Sequence, residues 1–288
     1  MSKVGLPQLK ILIKKYIVSY RSAIEIDQAQ DITLLLNSFA VRWIDTICSN
    51  YEFEPYLKYI NWKRISSYRV VNIIKRKKNI MKYCDVSIFN DGNWYSLIAK
   101  YPEFIGYANL ESFTDSEIVD LVTLNNRLSK YFDLKKLSPT PTVRLLSSCL
   151  NLIKECNLDI LNGMQIKILL KWHESLFDHT EFIKHIHKMD NTDWADLIRF
   201  NIEVFDKKEK IDFNGKEWAI ILKTHPSLVN HCNIEVLAPV DWHSILRRDN
   251  SLIEKMPKTC YEYIPIQNLI KANYRYRDYL QYIPQKEG

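Results

Sequence analysis

Trp218-x-x-Ile221-Leu222-x-x-x-Pro226-x-Leu228-x-x-x-Cys232-x-x-x-x-Leu237 is the stretch on which the fold turns. Trp218, Ile221 and Leu222 stand at i, i+3 and i+4, one face of an α-helix. Pro226 has no N–H to continue that helix and can open a second, shorter one. The same order of residues runs from Trp94 to Phe113, with Pro102 and Phe104 in the matching places. A unit of two short helices and a turn is predicted, with a first helix of about ten residues.

Working outward, the unit recurs. Val70, Trp94, Ile118, Thr142, Ile166, Trp194, Trp218, Trp242 and Ile266 are spaced by 24 residues, with one step of 28 between Ile166 and Trp194. Three and four places after each anchor stands an apolar pair, from Ile73-Ile74 to Leu269-Ile270, and ten places after it an apolar residue, from Ile80 to Tyr276. At 47% hydrophobic content, 27 matches in 27 places arise about once in 10⁹ trials, so the period is real. Four places before most anchors sits a helix-capping residue: Ser66, Asn90, Thr114, Ser138, Asn162, Asp190 or Asn214. Pro139 and Pro239 occupy first helical positions, where a missing N–H costs nothing. A degenerate copy begins at Trp43, and residues 1–42 read as a basic amphipathic helical cap with Leu9, Ile13, Tyr16, Ile17 and Tyr20 on one face. The array is expected to span 43–283, leaving 284–288 as a tail.

These residues resemble the tandem W-x2-[LI][LI]-x3-P-x-[LF]-x3-C repeats of bacterial and phage proteins, mostly of undefined function, and short-helix solenoids such as the leucine-rich-variant class. The resemblance covers 43–283 and carries no catalytic residue. It implies an all-α, right-handed solenoid of nine to ten two-helix units, each burying its apolar face only against its neighbours. Thr142, Pro141 and the four-residue insertion after Ile166 depart from the ideal pattern.

Six Gly and ten Pro in 288 residues argue against a turn-rich β fold or a Gly-cradled nucleotide site. No apolar run reaches the roughly 18–20 residues that span a bilayer, so no membrane partner is expected. Six cysteines without a C-x-x-C pair suit a reducing cytoplasm, the host's if the chain is phage-encoded. Residues 1–80 carry a net charge of +8 and the remainder −2.

Surface positions then carry function. Five places after the anchor, six of nine residues are basic, Lys75, Lys171, Arg199, Lys223, Arg247 and Lys271, against Ala99, Thr123 and Ser147, a ladder suited to phosphates or acidic side chains. The helix macrodipole also favours a cation there, by a few tenths of a kcal/mol. Lys75-Arg76-Lys77-Lys78 is the densest cationic run, with Lys63, Arg64 and Arg69 one unit earlier. Trp172 and Phe200, six places after their anchors, lie outside the core pattern. They are either contact residues or packing beneath the insertion. His173, His179, His185 and His187 cluster near Glu174, Asp178 and Glu181 without metal-site spacing. Cys84, Cys156 and Cys232 share one repeat position and read as small core residues.

No G-x-S-x-G, P-loop, G-x-G-x-x-G or H-E-x-x-H motif is present. The expectation is a protein with no catalytic residues, cofactor, metal or small-molecule substrate. It would bind a protein or nucleoprotein complex as an adaptor or inhibitor, phage inhibition of bacterial defence being one such role. The alternatives are an RNA- or DNA-binding solenoid using the Lys/Arg ladder, with nucleic acid at the basic amino-terminal segment, and a metal-dependent enzyme at His173–His187.

Overall fold

The computed structural model describes residues 5–17, 26 and 30–284, and every regular element among them is helical, with no strand. The chain forms two compact units, Met1–Asp133 and Leu134–Gly288.

Unit 1 holds α1 (Leu6–Tyr16), α2 (Ile32–Ser49), α3 (Ser67–Arg76), α4 (Asp91–Ile98) and α5 (Asp115–Leu124). α3 packs on α4 and α4 on α5. Unit 2 holds α6 (Pro139–Ser148), α7 (Gly163–Trp172), α8 (Thr180–Ile183), α9 (Asn191–Phe200), α10 (Gly215–Leu222), α11 (Pro239–Leu246) and α12 (Ile264–Ala272). Apart from the four-residue α8, each of these helices packs on the next.

The apolar columns are the core. All the anchors except half-buried Ile118 are buried, as are all the pairs except Leu269 of the last. The residues ten places on, Ile80 through Tyr276, are buried without exception. At all nine anchors the N–H seven places on bonds the carbonyl three places on, from Lys77 to Ile73 at 2.8 Å to Asn273 to Leu269 at 3.1 Å. Thr142 keeps a polar anchor buried by donating its hydroxyl to Ser138 O at 3.0 Å. Asn90, Thr114, Asn162, Asp190 and Asn214 accept N–H bonds as caps, whereas Ser66 and Ser138 make no side-chain cap bond.

Three expectations change. The second helix of the unit is a 3-10 segment, such as Pro102–Tyr107 and Pro226–His231, and most units add a further three-residue 3-10 turn. Their backbone bonds run i→i+3, such as Phe104 N–H to Tyr101 O at 3.0 Å and Leu228 N–H to His225 O at 3.1 Å. The amino-terminal copy is anchored by Ile44, not Trp43: Ile44, Ile47 and Cys48 are buried, while Trp43 is half-buried at a non-helical kink (φ −114°, ψ 16°) inside α2. The division between residues 42 and 43 therefore falls at this kink. In the cap, α1 buries Leu9, Leu12 and Ile13, with Ile17 just beyond it, but Tyr16 is 37% exposed. Tyr20 and residues 285–288 of the tail lie outside the described residues.

Candidate binding edge

The carboxyl ends of the α-helices in unit 2 carry the features that the core does not use. Leu169 and Leu170 close the buried face of α7, so Lys171 and Trp172 emerge at its end. Leu197 and Ile198 do the same on α9, leaving Arg199 and Phe200 outside. Trp172 is 67% exposed and Phe200 57%, so neither packs beneath the insertion. Lys171 Nζ lies 4.5 Å from the Phe200 ring centroid, a cation–π contact from one helix to the next. Arg247 and Lys271 are exposed and Lys223 half-buried at the equivalent places. Arg199 also pairs with Asp196 of its own helix at 3.2 Å.

The insertion builds something separate. It adds α8, whose Ile183, with Ile186 and His187 of the following 3-10 turn, Phe177, Trp194 and Lys207–Lys210, lines a groove of about 350 Å³. Lys208 is held there by Asp212 at 3.1 Å and lies 5.2 Å from the Phe213 ring.

A column that the sequence reading passed over organises the edge. Seven places after every anchor except Thr142, where Cys149 stands, is either a long hydrogen-bond donor or a short capping group. His173 Nε2 lies 3.1 Å from Ser147 O, His225 Nε2 3.1 Å from Arg199 O, and the Tyr101 hydroxyl donates to Lys75 O at 3.0 Å. Each spans from one α-helix to the last turn of its predecessor, and since a carbonyl only accepts, both imidazoles carry their proton on Nε2. Asn125, Asn201, Asp249 and Asn273 instead cap their own 3-10 segments, accepting from the N–H two places on. The signal was available: aligned on the anchors, the column reads Lys, Tyr, Asn, Cys, His, Asn, His, Asp, Asn.

In unit 1 the cationic run is engaged in tying the unit together. Arg69 donates to Asp45 Oδ2 at 2.7 Å and to Val41 O and Arg42 O; Arg76 bonds the other Asp45 oxygen. Lys77 donates to Ser49 O at 2.6 Å, Lys78 pairs with Glu103, and Lys63 with Asp85 at 3.4 Å. Burial pushes the Asp45 carboxyl upward, but its hydrogen bonds from Arg69 and Arg76 outweigh that and hold it below its ordinary value. Arg64 is exposed and Lys75 half-buried. Four cations expected to face a partner are thus already matched by acceptors 24 to 31 residues away.

The histidines diverge. His173 is the tether described above, His187 Nδ1 lies 2.6 Å from Lys184 O, and His185 sits 3.6 Å from Asp159. Burial lowers the His185 pKa, with Lys188 adding to the effect. Among the described residues no three His, Cys, Asp or Glu side chains converge as metal ligands. Cys156 is buried, Cys84 and Cys232 half-buried, and burial raises all three thiols, Cys156 and Cys232 to about 11. Among the described residues no helix is long and apolar enough to cross a membrane. No family model, curated protein or solved structure matches the chain.

Proposed function

We propose that the protein is a non-catalytic binding protein of the short-helix tandem-repeat kind, an adaptor or inhibitor whose helices stack as a solenoid and whose working surface is the carboxyl-terminal edge of α7, α9, α10, α11 and α12. One observation carries this reading: Trp172 and Phe200 stand exposed on adjacent helices, with Lys171 against the Phe200 ring. A large apolar ring in water forgoes about 1.5–3 kcal/mol of burial, and paired aromatics beside cations are typical of contact hot spots. Neither ring supports the core, since the buried pairs Leu169-Leu170 and Leu197-Ile198 complete it without them.

The test is affinity capture from the source cell at low and high salt, comparing wild type with the Trp172→Ala/Phe200→Ala double variant. A stoichiometric partner held by the wild type and lost by a folded double variant supports the reading. A partner retained equally by both removes the edge from the account, and recovery of none under either condition counts against a binding role.

A further inference from the structure

We infer that the partner on this edge is single-stranded nucleic acid, its bases stacking on Trp172 and Phe200 and its phosphates meeting Lys171, Lys223, Arg247 and Lys271. The inference rests on the binding role proposed above and adds the chemistry of the occupant.

Charge is segregated along the helices of unit 2. Asp193, Glu217 and Asp241 stand one place before their anchors, at the amino ends of α9, α10 and α11. Lys171, Arg199, Lys223, Arg247 and Lys271 stand five places after, so each layer from α7 to α12, the short α8 aside, presents one cation at its carboxyl end. With helices packed roughly 8–10 Å apart, the cations form a row at a spacing that a flexible phosphate backbone can follow. The macrodipole accounts for cations at helix ends, but gives no reason for exposed aromatic rings among them.

Backbone carbonyls at helix carboxyl ends repel phosphate, and here several are already occupied. Ser147 O and Arg199 O lie within hydrogen-bond reach of His173 and His225, and Leu246 O accepts from the Tyr276 hydroxyl at 2.7 Å. Arg199 O and Leu246 O on the edge, and Ser147 O on the preceding α6, are thus turned to protein donors.

The aromatics decide among polyanions. An acidic protein segment can satisfy the cations with nothing flat to stack on the rings, and a duplex hides its bases from them. Only a single strand offers both phosphates and free base faces, and stacking on exposed rings beside a cationic track is how sequence-tolerant single-strand binding works. Lys171 covers Phe200 on one side at 4.5 Å, which fixes the ring while leaving it 57% exposed. Arg199, shared with Asp196, is left out of the phosphate count.

The experiment is fluorescence anisotropy of the full chain with a labelled oligouridylate of about 20 nucleotides, long enough to exceed a single-strand site. Titrations between about 50 and 200 mM salt should give a slope of log K against log[salt] near −3, from four phosphates at about 0.7 each. K223E/R247E/K271E should flatten that slope to about −1 or shallower. Trp172→Ala and Phe200→Ala should each weaken binding about tenfold at fixed salt with little change in slope. A blunt duplex of equal length and polyglutamate should compete poorly. Circular dichroism establishes that each variant is folded. Absence of oligouridylate binding at the lowest salt overturns the inference, as does binding indifferent to both aromatic substitutions. Polyglutamate competing as well as RNA would assign the edge to acidic protein instead. The affinity capture separates the two levels: a partner lost with the double variant but containing no nucleic acid keeps the binding role and removes this occupant.

Discussion

Gly215→Ala is expected to destabilise unit 2, although a helical Gly→Ala change ordinarily stabilises. Gly215 is the first residue of α10 and has no positive φ, so conformational freedom is not why glycine stands there. A Cβ at this place would fall 2.3 Å from Val236 O and 2.7 Å from Asp241 Oδ2. The carboxylate oxygen belongs to a side chain, but it accepts from Ala238 N–H at 3.0 Å, and the carbonyl is backbone. Restoring the 3.0 Å that real Cβ contacts respect requires the 3-10 turn Ile234–Val236 to move by at least about 0.7 Å from α10. Overpacking of this order costs about 1–3 kcal/mol, against about 0.5–1 kcal/mol gained by replacing Gly in a helix. The net loss centres on about 1 kcal/mol, or roughly 2–4 °C in melting temperature for a unit of this size. Gly163, at the equivalent place in α7, meets Lys188 O at 2.3 Å and should behave alike, whereas a Cβ on Gly106 meets nothing within 4 Å. Urea and thermal unfolding of Gly215→Ala, Gly163→Ala and Gly106→Ala, followed by circular dichroism, make the comparison. Gly215→Ala as stable as wild type would refute the close approach of turn and helix on which the layered packing depends.

Other consequences can be measured together. Tyr276→Phe removes a buried hydroxyl that donates to Leu246 O at 2.7 Å and should cost about 1–2 kcal/mol in urea unfolding; a neutral result would deny the tether between α11 and the 3-10 segment Tyr274–Tyr282. Asp45 has a folded pKa below its unfolded one, so its contribution is present above the unfolded value near 3.9 and fades as pH falls through the folded value. Its side chain is 40% exposed, which limits that contribution to under about 1 kcal/mol after solvent screening. The stability gap between wild type and Asp45→Asn should therefore close in acid, and a gap equal at pH 7 and well below pH 3 would contradict the pairing with Arg69 and Arg76. His225→Ala should loosen the last turn of α9, seen as faster amide exchange around Arg199 and Phe200; unchanged exchange would make the imidazole contact incidental.

The core was readable because it is written in periodic apolar identity: the anchors, the pairs and the column from Ile80 to Tyr276 are buried nearly throughout. Local bonding was less so. Apolar spacing over six residues does not distinguish a 3-10 segment from a short α-helix, and at the array's amino end Trp43 attracted an anchor that burial gives to Ile44. Lys77 donating to Ser49 O, five places after Ile44, restores the register that the tryptophan obscured. The partners of Arg76, Lys77 and Lys78 were hidden for a different reason. Adjacent cations look solvated along the chain, whereas Asp45, Ser49 and Glu103 reach them only after folding brings layers together. Trp172 and Phe200 were visible as aromatics off the core pattern, but only the packing of α7 and α9 shows them exposed.

Photo-crosslinking in the source cell addresses the working edge most directly. A photoreactive phenylalanine analogue is placed at Trp172, at Phe200, and at Met164, which is 61% exposed near the opposite end of α7. Crosslinks to one partner from positions 172 and 200, with none from 164, are the predicted result. Capture at 164 as strong as at 172 and 200, or at 164 alone, would contradict it.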